Sequence, residues 1–178
     1  MRRAFNFGYQ HGVTMIELMI TITIVAILAA IALPSFSGTI ERQRLTFAVE
    51  TVVLDLRLAR TTAVAQGARG SSVVEFSVNG SDTSVWGYTA TNSVVGALAS
   101  RSSTDFSSGL SMVVTNFGDL DGDGDLDVTF TADRGLDVDG DGSVQLTLGS
   151  TSATVSRNLL GLISVCSNSS LGYSSCGS

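Results

Sequence analysis

Lysine is absent from this chain of 178 residues, and proline, histidine and tryptophan each occur once. Every base is therefore an arginine, and ten of them face sixteen carboxylates, for a formal net charge of −6. Sequence-independent nucleic-acid binding rests on neutralising phosphates, so this balance disfavours it. The one histidine, His11, precedes a long apolar run and is remote in sequence from Cys166 and Cys176. A Cys–His nucleophile or a metal site of cysteines and histidines is excluded from the body of the chain. No grouping of nucleophile, base and orienting residue stands out, so the chain is not read as an enzyme. Scarce proline goes with 19 glycines and many serines and threonines, and 44% of residues are hydrophobic. That profile excludes disorder and suits a turn-rich, extracytoplasmic β domain. The length allows one anchor helix and one modest domain.

Charge is also nearly missing from Val13 to Leu33, where Glu17 is the only ionisable side chain. This run is long enough to span a bilayer as a helix. It is too long for the core of a secretory signal, about 7–15 residues, and its small residues Ala29 and Ala30 lie inside it. A carboxylate within a spanning helix costs about 2.5–3.5 kcal/mol, so it is seldom present without a partner. A signal anchor with an incidental glutamate is the plainer alternative. Pro34 follows the run and either kinks the helix or ends it.

The order around this glutamate is a polar leader with Arg2 and Arg3, then Gly12-Val13-Thr14-Met15-Ile16-Glu17-Leu18-Met19. It resembles the processing site of the type IV pilin superfamily, with Val13 and Met15 where that family most often has phenylalanine and leucine. The resemblance implies cleavage after Gly12 by a prepilin peptidase and methylation of the new N-terminus at Val13. It also implies that Glu17 pairs with the terminal amine of a neighbouring subunit as helices stack. The implied partners are other pilins or pseudopilins and an inner-membrane assembly platform. The chain would cross the inner membrane once, with its N-terminus cytoplasmic and its C-terminal domain periplasmic.

Beyond Gly38, apolar residues recur at helical spacing: Leu45, Ala48, Val49, Val52, Val53, Leu56, Ala59, Ala63 and Val64. This stripe predicts a helix packed on a sheet and ended by Gly67 and Gly70. Strands are expected at 73–78 and 85–89, joined at the hairpin signal Asn79-Gly80, and at 110–117, 126–131, 144–148 and 162–165. Residues 92–108 read as a loop with one short strand near 94–98. The expected fold class is α+β and pilin-like, a long N-terminal helix packed on an antiparallel β domain. Its parts are a leader (1–12), a transmembrane and assembly helix (13–34), an amphipathic helix (35–67) and a periplasmic β domain (68–178).

Three stretches resemble the GspH/FimT minor pilins and pseudopilins: the helix end from Leu56 to Val64, Trp86 after the first strand, and Gly161 to Cys166 near the end. DNA-binding members carry arginines in the closing strand where this chain has Leu162 and Ser164. The resemblance implies a structural subunit at or near the tip of a type II secretion pseudopilus or type IV pilus. A tip adhesin or DNA-uptake receptor is the alternative, its DNA role disfavoured by the missing arginines. In an outward-facing domain Cys166 and Cys176 are expected to form a disulfide, although their spacing leaves two free thiols open.

Two acidic stretches remain, 119–127 and 137–145. In the first, Asp119, Asp121, Asp123, Asp125 and Asp127 alternate with other residues, and Gly124 stands at the sixth place. A hard cation such as Ca²⁺ takes six to eight oxygens, which such a loop can supply. Asp119, Asp121, Asp123 and Asp127 would offer side chains and Asp125 its carbonyl. The second has Asp137, Asp139 and Asp141 in the same frame, but Gln145 at the ninth place. The bound Ca²⁺ would be structural. Two solvated acidic turns are the alternative.

Overall fold

The structure is a computed structural model that describes residues 12–119, 122–131, 141–158, 160–168 and 171–177, without the side chains of 32–36 and 68. The chain divides into two compact units, Met1–Thr39 and Ile40–Ser178. Its one described α-helix, α1 (Met15–Gln66), contributes to both and continues through Pro34.

In the first unit the described part of α1 carries apolar side chains on every side, and all are exposed. Thr21 and Thr23 donate to the carbonyls of Leu18 (2.8 Å) and Met19 (2.7 Å). Their hydroxyls are thus satisfied within the helix. No helix among the described residues is long and apolar enough to cross a membrane.

In the second unit the amphipathic stripe is buried as expected from Leu45 to Ala63. Val64 departs from it, being 48% exposed. Gln66 is the last α-helical residue. A 3-10 turn follows at Gly67–Arg69, where Gly67 takes the left-handed φ of 60° that favours glycine.

The rest forms two sheets. One has the order β3-β2-β1-β5, from β1 (Ser72–Val78), β2 (Trp86–Asn92), β3 (Gly96–Ser102) and β5 (Leu126–Phe130). The other runs β4-β6-β7-β8-β9, from β4 (Leu110–Thr115), β6 (Gly142–Leu148), β7 (Thr151–Arg157), β8 (Ile163–Ser167) and β9 (Ser174–Ser175). All pairings are antiparallel except the short parallel contact of β8 with β9. Alternate residues of each sheet point into one core with the helix stripe: Val74, Phe76, Tyr88, Val128 and Phe130 from the first sheet, Met112, Val144, Leu146 and Val155 from the second. This is the expected α+β class.

Several expectations are corrected. Residues 96–102 form a full edge strand, not a loop with a short strand at 94–98. β7 was not expected from the sequence, because its residues alternate serine and threonine with small apolar side chains. The β1–β2 hairpin exists, but its loop runs from Asn79 to Val85 and is closed by Asn79 N–H donating to the Val85 carbonyl (3.2 Å). As expected, Cys166 and Cys176 form a disulfide, which fixes the end of the chain beside β8.

Candidate functional site

The N-terminal segment holds the processing and assembly residues read from the sequence. Gly12 and Val13 precede the helix and are exposed. Thr14 caps it: its carbonyl accepts the Leu18 N–H (3.1 Å) and its hydroxyl accepts the Glu17 N–H (3.3 Å). Thr14-x-x-Glu17 is the capping-box pattern, a signal the sequence reading passed over. The cap fixes the helix start two residues beyond Val13. Glu17 then lies in the first turn, where the helix dipole favours a carboxylate. The fold gives no reason for glycine at 12, since no described atom lies within 4 Å of where a Cβ would stand. The leader residues 1–11 lie outside the described residues.

The first acidic loop is shaped by its own carboxylates. The two oxygens of Asp119 accept the N–H groups of Gly122 (2.7 Å) and Gly124 (3.1 Å). The Asp123 carboxylate accepts the Asp125 N–H (2.9 Å). Gly122 and Gly124 have φ of 81° and 96°, left-handed values that glycine alone adopts without strain. Asp127 closes the loop by donating its N–H to the Gly118 carbonyl (2.6 Å), and it is only 3% exposed. Asp121 lies outside the described residues, as do Asp137 and Asp139. Asp141 is described just before β6. Among the described residues no three carboxylate, histidine or cysteine side chains gather where they could hold one ion.

The Phe117 ring, two residues before the first acidic stretch, lies where a Cβ on Gly142 would stand, so it packs on β6 at Gly142. The guanidinium of buried Arg157 sits over Phe117 (5.4 Å) and Phe130 (6.0 Å). Burial pushes the Arg157 pKa down to about 10.

A second cluster was missed by the sequence reading. Asp55 lies on the buried side of α1, accepting the Tyr88 hydroxyl (2.8 Å) and the Arg101 Nε–H (3.1 Å). Burial, followed by the charge of Asp55, raises the Tyr88 pKa well above the usual phenol value. The cluster ties helix to sheet. Its only sequence signal is an aspartate set inside an apolar stripe.

Residues 8–33 match the family described as the prokaryotic N-terminal methylation motif. This supports a type IV pilin-like leader and marks a prepilin-type precursor, generally a non-enzymatic structural subunit. That motif implies assembly with other pilins and processing by a prepilin peptidase, and it suggests a chain first membrane-anchored and then filament-associated. No curated protein and no solved structure matches the chain.

Proposed function

We propose that this chain is a leader-processed minor pilin or pseudopilin of the GspH/FimT kind, at or near the tip of a type II secretion pseudopilus or type IV pilus. The observation that carries the reading is the exposed apolar face all around α1 from Met15 to Ile31. A helix apolar on all sides needs a bilayer or other helices around it. The run to Leu33 supplies an inner-membrane span, crossed once with the β domain periplasmic. Cleavage after Gly12 frees the Val13 amine for methylation. Glu17 neutralises the amine of a neighbouring subunit, which offsets the cost of a carboxylate in the apolar layer. The test is incorporation. Glu17→Leu is expected to insert and to be cleaved as the parent is, yet to enter filaments poorly. Normal incorporation would remove the role given to Glu17.

Calcium belongs to the same proposal as a structural ion of the 119–127 loop, with 137–145 as a second candidate. The support is five aspartates within nine residues, which repel until a cation neutralises them. Calorimetry on metal-stripped protein is expected to show calcium binding, with a raised Tm that Asp121→Ala with Asp123→Ala abolishes. An unchanged Tm in the parent would leave two solvated turns.

A further inference from the structure

We propose that Asn79 is a self-modifying residue, converted to aspartate and isoaspartate by attack of its neighbour's backbone nitrogen. The inference is independent of the filament reading. Asn79-Gly80-Ser81 opens the exposed β1–β2 loop. Gly80 has no side chain to hinder its nitrogen, and no described atom lies within 4 Å of where a Cβ would stand. Among the described residues no backbone hydrogen bond from the Gly80 N–H is formed. The electrophile is held as well. The Asn79 Oδ1 accepts the Ser81 N–H (3.1 Å) and the Ser81 hydroxyl (2.8 Å). These donors point at the atom that gains negative charge when the amide carbon becomes tetrahedral, as an oxyanion hole does. The Asn79 backbone is braced by its N–H donating to Val85 and its carbonyl accepting from Asp82 (3.0 Å).

The chemistry balances without an oxidant or reductant. The Gly80 nitrogen bonds to Cγ of Asn79 and loses its proton to solvent. The side-chain nitrogen leaves as ammonia, and a five-membered succinimide forms. Water then opens the ring at either carbonyl. Opening at Cγ regenerates the normal backbone with aspartate at 79. Opening at the main-chain carbonyl leaves isoaspartate, with an extra methylene in the backbone. The aspartate product retains its acceptor oxygen for both Ser81 donors. The loop thus gains a negative charge near Asp82, and the fraction modified grows with the age of the subunit.

The other asparagines of the second unit are internal controls. Asn92 is 3% exposed, with its amide donating to the Ser71 carbonyl and Ser72 hydroxyl and its oxygen accepting from Val94 and Val95. Asn116, Asn158 and Asn168 precede phenylalanine, leucine and serine, whose side chains hinder the attacking nitrogen.

The experiment is peptide mass analysis of the full chain in detergent, sampled over days at mildly alkaline pH, with isoaspartate and released ammonia measured together. Asn79 is expected to gain one mass unit about tenfold faster than Asn168, the rate ratio of about 1.4 kcal/mol in barrier. Gly80→Ala is expected to slow it about tenfold by hindrance. Ser81→Ala should slow it a few-fold, since a donor in water is worth far less than one in a closed site. Circular dichroism checks that both variants keep the parent fold. Modification of Asn79 no faster than of Asn168 overturns the proposal, and so does a Ser81→Ala variant that reacts as fast as the parent or faster.

Discussion

The two stretches of α1 obey the same helical geometry and differ in where their apolar side chains end up. From Met15 to Ile31 every large apolar side chain is exposed. From Leu45 to Ala63 a single stripe is fully buried, while Phe47, Leu54 and Leu58 on other sides stay exposed. Hydrophobicity alone therefore does not decide burial; the presence of a partner does. The later stretch finds its partner in the two sheets of its own chain. The earlier one has none among the described residues of its unit, which is why its function is sought in a membrane and in neighbouring helices.

Substitution within the later stretch sharpens this contrast most. Leu56 is 2% exposed and Leu54 is 62% exposed, two residues apart on one helix. Leu56→Ala is expected to cost about 2–5 kcal/mol, from lost transfer energy and a residual cavity. Leu54→Ala should stay within about 0.5 kcal/mol. Denaturant titration of both variants checks the pair. Equal losses would mean that the stripe is not what anchors the helix.

The disulfide comes next in size. It closes a loop of sequence separation 10 and holds Leu171 and Tyr173, which pack against the core. Replacing Cys166 and Cys176 by serine should lower stability by about 2–3 kcal/mol, chiefly by freeing the unfolded chain. Thermal unfolding with and without reductant tests this, the double variant being insensitive to reductant.

The Asp55 cluster supplies a smaller, pH-dependent effect. Tyr88→Phe removes a hydrogen bond to a carboxylate, about 1.5–3 kcal/mol near neutral pH. The folded-state pKa of Tyr88 is raised above its unfolded value near 10. Its contribution is therefore fully present below that value and falls as pH rises through the folded pKa. The parent should lose stability above about pH 10. Tyr88→Phe should lose less, and Tyr173→Phe serves as control because burial raises that phenol as well. Parallel slopes for parent and Tyr88→Phe would contradict the assignment.

How far the fold could be read from the sequence follows from the strength of each pattern. The buried stripe, β1, β4, β5 and β6 were legible because apolar residues repeat there at helical or strand spacing. β3 and β7 were not. Gly96-Ala97-Leu98-Ala99 has little side chain to pattern, and β7 alternates Ser152, Thr154 and Ser156 with Ala153 and Val155. Their place is set by pairing with β2 and β6, a tertiary fact. At the candidate site, Gly12, Val13 and Glu17 are expectations drawn from one local motif, and the methylation-motif match over residues 8–33 covers all three. The cap by Thr14 was overlooked although its spacing was visible. The partners of Asp55 lie 33 and 46 residues away, beyond any local pattern.

The smallest expected effect on stability is also the most informative. Gly12→Val should leave the Tm of the second unit unchanged, because nothing described surrounds Gly12. It should nevertheless leave uncut precursor in the membrane fraction. The most direct measurement is therefore N-terminal mass analysis of the chain recovered from cells that carry the processing peptidase. The account predicts a mature chain beginning at Val13 with a methylated amine, and only uncut precursor from Gly12→Val. A recovered chain that begins at any other residue, or a Gly12→Val variant cut as the parent is, would contradict it.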